Sequence, residues 1–174
     1  MPQRLPRWRS PSPVAAYVTP WLTIMLASLV TGWPLIGEAP VMPPLGFMTL
    51  LSWRHLRPGL LPVWAGVPLG LFDDMVSGQP LGSAILLWSA TMIALEIFEA
   101  RFPWRNFLVD WMVAGVLIAA YLILSLLIAN AAGGNTLLLL LAPQAIVSIA
   151  IHPLIGRMVG RFDRWRLFRF RVVG

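Results

Sequence analysis

Six apolar runs divide the chain, at about residues 14–30, 40–53, 59–76, 81–98, 107–130 and 137–159, with short polar or turn-rich breaks between them. Uncharged runs of this length predict membrane-spanning helices. The expected fold class is therefore all-α: a polytopic integral membrane protein whose core is a six-helix transmembrane bundle. The second run is the least regular. Pro43-Pro44 prevent a continuous helix and leave about 13 apolar residues, so a short or broken span is expected there, with a re-entrant or protein-covered segment as the alternatives. In the third run Gly66 and Gly70 stand at G-x-x-x-G spacing, which permits close helix packing but is common in membrane helices. Pro143 and His152-Pro153 interrupt the sixth run.

Composition agrees with the runs. Of 174 residues, 58% are hydrophobic and 11% charged, with a mean hydropathy of +0.76, whereas a soluble domain carries about 25% charged residues. No connection is long enough to fold as a soluble module. The chain has no cysteine, which removes disulfides, thiolate nucleophiles and zinc-thiolate sites.

The distribution of charge adds orientation. The net charge of +6 comes from 13 arginines, clustered at Arg4-Arg7-Arg9, Arg54-Arg57, Arg101-Arg105 and from Arg157 to Arg171. The intervening connections carry acids (Glu38, Asp73-Asp74) or the uncharged Gly133-Gly134-Asn135. Under the positive-inside rule this alternation predicts six spans with both termini cytoplasmic. The chain then divides into a basic, Pro-rich tail at 1–13, a transmembrane domain at 14–160 and a second cytoplasmic tail at 161–174. The first apolar run is expected to stay as an anchor and not to be cleaved as a signal peptide. In the last segment Arg161, Arg164, Arg166, Arg169 and Arg171 alternate with Phe162, Trp165, Phe168 and Phe170, a composition suited to anionic lipid at the membrane surface. Nucleic-acid binding is disfavoured, because the segment follows directly on a span and carries no recognition motif.

Candidate chemistry concentrates between residues 70 and 82, GLFDDMVSGQPLG. An acid at membrane depth costs roughly 2.5–3.5 kcal/mol on insertion scales, so Asp73 and Asp74 must lie near a boundary, face a polar cavity or be paired. Ser77-Gly78-Gln79-Pro80 is a breaker cluster that ends the third helix and turns the chain into the fourth. Gly78 and Gly82 are placed to supply positive φ or a close backbone approach. A structural or partner-contact role for this turn is preferred to an acid/base pair or a cation site, because adjacent helical side chains diverge by about 100°. Elsewhere Glu96 and Glu99 are expected to meet Arg101 and Arg105, and Asp110 to meet Arg105 or another loop arginine. His55 reads as an exposed loop residue and His152 as a packed polar contact. No nucleophile elbow, HExxH or P-loop is present. The expectation is a non-enzymatic protein with no catalytic residues, no cofactor and no metal site.

These features together resemble the MreD family of bacterial rod-shape membrane proteins. The resemblance lies in the size, the six-run layout, the basic ends and the Pro-rich second run followed by Trp53, Arg54, Arg57 and Pro58. It is most specific at Gly70, Leu71, Asp74, Gly78, Pro80, Leu81 and Gly82, which fit a family pattern of approximately Gly-Leu-x-x-Asp-x-x-x-Gly-x-Pro-Leu-Gly. Asp73 departs from it, since the family usually has an apolar residue there. The resemblance implies a non-enzymatic scaffold of the elongasome in the bacterial inner membrane. Its implied partners are MreC and, through it, the MreB filament, RodA and a penicillin-binding transpeptidase of lateral peptidoglycan synthesis. Gly70, Leu71, Asp73, Asp74, Ser77, Gly78, Pro80, Leu81 and Gly82 form the expected partner-contact or structural motif. The rival reading is the substrate-binding component of an energy-coupling vitamin transporter, a family of similar architecture. That role requires converging polar groups in the outer half, where the sequence offers few.

Overall fold

The computed structural model describes residues 13–32, 42–102 and 106–166. Six helices form, and the described residues contain no strand: α1 (Pro13–Gly32), α2 (Leu45–Leu56), α3 (Gly66–Ser77), α4 (Ser83–Arg101), α5 (Phe107–Ala131) and α6 (Leu141–Arg166). Single 3-10 turns lead into α3 and α6. Each apolar run of the sequence therefore contributes one helix, but the helices are of two kinds. Three stretches are long and apolar enough to cross a membrane: Ser83–Arg101, Phe107–Ala131 and Leu138–Trp165. The described apolar part of α1, Tyr17–Gly32, is shorter. α2 and α3 have 12 residues each. At 1.5 Å per residue they are about 18 Å long, against a hydrocarbon core of about 30 Å.

The local sequence accounts for these ends. α2 begins immediately after Pro43-Pro44, as expected, and runs on to Leu56, three residues beyond Trp53, where the second apolar run stops. In α3 Pro68 lies in the first turn, where the backbone N–H groups have no helical partner in any case. Gly78 ends α3 in the left-handed conformation at φ 69°. The Asn106 side chain caps α5 by accepting from Val109 N at 2.9 Å. α6 continues through Pro153 to Arg166, so residues 161–166 are helical.

One of the two shortest helices, α2, is the most enclosed. Every residue of α2 from Gly46 to Arg54 is buried, and α2 packs on α1, α5 and α6. Phe47, Met48, Leu50, Leu51 and Trp53 form the centre of the core. Phe47 stacks on Tyr121 of α5 at 4.3 Å and tilts against Trp88 of α4 at 6.0 Å. A helix surrounded by others has no need to reach both membrane faces, because neighbouring protein satisfies the backbone that precedes and follows it. α3 is held between α1 and α4. In contrast, large apolar side chains such as Leu26, Ile93, Val116 and Ile146 are exposed on the outer faces of the longer helices. Such an exterior suits lipid.

Candidate functional site

One end of the bundle is built around the turn between α3 and α4. The first turn of α4 presents N–H groups with no intrahelical acceptor, and Gly82 at its N-cap has no side chain to satisfy them. Asp74, in the last turn of α3, does so from across the turn. Its carboxylate accepts from Gly82 N at 2.9 Å, Ala84 N at 2.8 Å, Ile85 N at 3.3 Å and Ser83 Oγ at 3.0 Å. A negative group at a helix N-terminus is further favoured by the helix dipole. The turn that makes this possible passes through Gly78 at φ 69° and Gly82 at φ 97°, both in the region that glycine occupies without strain. Pro80 closes it by accepting from Ser83 N at 3.0 Å.

Gly66 and Gly70 supply the close approach that lets Asp74 reach. A Cβ on Gly66 would lie 2.8 Å from the Ser89 backbone, and one on Gly70 would lie 2.7 Å from the Ala84 carbonyl oxygen. The G-x-x-x-G spacing that the sequence leaves ambiguous is thus a true α3–α4 packing face.

The two acids of the pair do different work. Asp73 is also buried, but it faces Ser28 of α1 and Tyr121 of α5. Ser28 Oγ and the nearby Trp88 Nε1 have no hydrogen-bond partner of normal geometry among the described residues. Both carboxylates are therefore turned into the bundle. What the turn presents outward is apolar: Leu81 is 77% exposed, Met75 73% and Leu71 43%.

The opposite end is held by ion pairs. Arg54, at the end of α2, is buried and reaches Glu96 and Glu99 of α4, the latter at 3.0 Å, while its Nη1 donates to the Leu61 carbonyl at 2.9 Å. Arg57 pairs with the buried Asp163 of α6 at 3.0 Å. Trp53 Nε1 donates to Thr23 Oγ1 of α1 at 2.9 Å. Three residues of one short stretch thus tie α2 to α1, α4 and α6. Glu96 and Glu99, for which Arg101 and Arg105 are the expected partners, converge on Arg54. Arg101 is exposed, and a guanidinium already enclosed by protein gains more from two carboxylates than one facing solvent. Arg105, the expected partner of Asp110, lies outside the described residues, as do Glu38, Arg169 and Arg171. At this one end of the bundle Arg54 meets the acids of α4 and Arg57 meets Asp163 of α6.

His55 and His152 stand edge to face, 6.3 Å between ring centroids, and Ser52 Oγ lies 3.5 Å from His152 Nε2. No group of three metal-ligating side chains occurs among the described residues. Pro153, lacking an N–H, leaves the Ile149 carbonyl without its helical partner. Trp111 Nε1 of α5 supplies one at 3.1 Å. Arg161 and Arg164 are exposed on α6.

The model of the family described as rod shape-determining protein MreD matches residues 14–160, the whole of the helical region up to the last turns of α6. The chain belongs to the MreD family. Family membership assigns it to rod-shape determination and to the membrane, in agreement with the three long apolar helices. No curated protein and no solved structure matches it. The Trp53-Arg54-x-x-Arg57-Pro58 stretch, noted in the sequence only as part of the resemblance, proves to be the hub of the second end. Its signal in the sequence was an arginine directly after a tryptophan at the end of an apolar run.

Proposed function

We propose that this chain is a non-enzymatic scaffold of the rod-shape machinery in the bacterial inner membrane. In this reading it engages MreC and, through it, the MreB filament, RodA and a penicillin-binding transpeptidase. One observation supports it above the others: the acids Asp74, Glu96, Glu99 and Asp163 all bind one helix to another. Such use of polar groups gives a rigid body with a fixed exterior. The arginine-rich end faces the cytoplasm, the α3–α4 turn faces outward, and all six helices lie within the bilayer, with α2 covered by its neighbours. The outward turn, with Leu81 exposed beside the Asp74 cap, is the contact for an extracytoplasmic partner.

Two measurements test this. In an Arg101→Cys or Gln79→Cys chain, a membrane-impermeant thiol reagent added outside should label position 79 and spare position 101; labelling of 101 from outside overturns the orientation. In mild detergent the chain should co-purify with MreC. Recovery instead of an energy-coupling ATPase and a bound vitamin would decide for the transporter reading.

A further inference from the structure

At the arginine-rich end an open groove of about 520 Å³ runs between α2, α5 and α6. One wall is basic. Arg157, Arg161 and Arg164 recur on a single face of α6 at i, i+4 and i+7, all exposed and all lining the groove. Their situation differs from that of Arg54 and Arg57, whose charges are met by carboxylates on neighbouring helices. Among the described residues no ion pair is formed by Arg157, Arg161 or Arg164. One carboxylate, Asp110 of α5, lines the groove with them.

The floor is shaped to leave room. Gly156 and Gly160 line the groove, and a Cβ at either would meet nothing within 4 Å. Neither glycine has a positive φ, and neither brings another helix close. In a helix interior each costs about 1 kcal/mol relative to alanine. Packing and backbone conformation account for neither; the space they keep open beside the arginines does.

The opposite wall is apolar. Phe107 and Trp111 of α5 and Leu56 of α2 face the same space, and Phe107 is 67% exposed. The exposed apolar residues Leu154 and Met158 continue along α6. A site with a cluster of guanidinium groups, an open floor and an apolar flank fits a ligand with an anionic head and hydrocarbon chains.

We propose that this groove binds the headgroup of an anionic phospholipid. Its phosphodiester is held by Arg157, Arg161 and Arg164, with guanidinium N–H groups donating to the phosphate oxygens, and its acyl chains lie along the apolar faces of α5 and α6. The site rests on the membrane embedding proposed above and not on any protein partner.

The test uses the full chain reconstituted in phosphatidylcholine nanodiscs, with retention of added phosphatidylglycerol read by native mass spectrometry. Failure to enter nanodiscs would count against the embedding itself. In nanodiscs the wild-type chain should retain phosphatidylglycerol about tenfold or more over phosphatidylcholine. Arg157→Gln with Arg161→Gln should abolish most of that preference. Gly160→Leu, which keeps every charge and fills the floor, should do the same, while Arg101→Gln, exposed and outside the groove, should leave it intact. Melting temperatures establish that each variant is folded; if the double arginine variant is not, Gly160→Leu and Gly156→Leu carry the test alone. Unchanged retention in the floor-filling variants, or an equal loss with Arg101→Gln, would reduce the preference to diffuse surface charge and overturn the site. Displacement of the lipid by millimolar inorganic phosphate would assign the groove to free phosphate instead.

Discussion

Two pairs of glycines four residues apart stand at opposite ends of this bundle and do opposite things. Gly66 and Gly70 let α3 lie against α4 so closely that an added Cβ would strike backbone. Gly156 and Gly160 face open space on α6. The first pair is defined by what touches it, the second by what is kept away. Identical spacing therefore says nothing about role until the facing surface is known, and in a membrane helix the small residue serves equally to bring a backbone near or to hold a volume open.

Substitutions at the two pairs should separate these roles sharply. The largest effect is expected at Gly70→Leu. Neither the Ala84 carbonyl nor the Ile85 backbone can move aside, so α3 must leave α4, at a cost of about 3 kcal/mol or more. The chain should be lost from membranes on immunoblot, and the little that remains should melt early in detergent. Wild-type abundance with Gly70→Leu would mean that the α3–α4 contact is dispensable.

Asp74→Ala tests what that close approach accomplishes. Three backbone N–H groups and the Ser83 hydroxyl would lose their acceptor, for about 2–3 kcal/mol. The first turn of α4 should exchange its amide hydrogens faster, while α5 is unchanged. Asp73→Ala, which removes no bond to α4, should leave that turn protected. Equal exchange in the two variants would show that the cap is not held by Asp74.

A smaller loss, about 1–2 kcal/mol, is expected for Gly82→Val, where the strain is in the backbone at φ 97° and not in a clash. Gly78→Val should behave alike. In a cell lacking the protein, both should restore rod shape less well than Ser77→Ala when membrane levels are matched. The smallest effect, and the only favourable one, belongs to the open pair. Gly156→Ala should raise thermal stability by up to about 1 kcal/mol, since the methyl group meets nothing and the helix gains propensity. A fall in melting temperature there would show that residue 156 is packed after all.

Much of this was legible in the sequence because membrane solvent simplifies the problem. Six apolar runs gave six helices, and the breaker cluster at 77–80 gave a turn whose glycines take positive φ. That Asp74 fits the family pattern while Asp73 departs from it acquires its reason in the cap. Other features depend on tertiary neighbours that hydropathy does not register. Apolar content alone does not distinguish α2, enclosed on all sides, from α5, which faces outward along much of its length. Glu96 and Glu99 have Arg101 close in sequence, yet they meet Arg54, more than forty positions earlier, because the packing of α2 brings that guanidinium to the end of α4. The Trp111 bond to the Ile149 carbonyl was half legible: Pro153 announces a freed carbonyl but not who will reach it.

The Arg54 pairing also bears on how the chain is made. Synthesis runs from the N-terminus, so Arg54 leaves the ribosome more than forty residues before either of the glutamates that meet it in the finished bundle. At about 5–20 residues per second, that is an interval of several seconds. A guanidinium without its acids is costly at membrane depth. In the embedding proposed above, the end of α2 stays near the surface, in contact with water or lipid phosphate, until α4 has been inserted. The most enclosed helix of the bundle is thus among the first to be synthesised and cannot be seated before the fourth, which makes the arrival of Glu96 and Glu99 the step that commits the core to close.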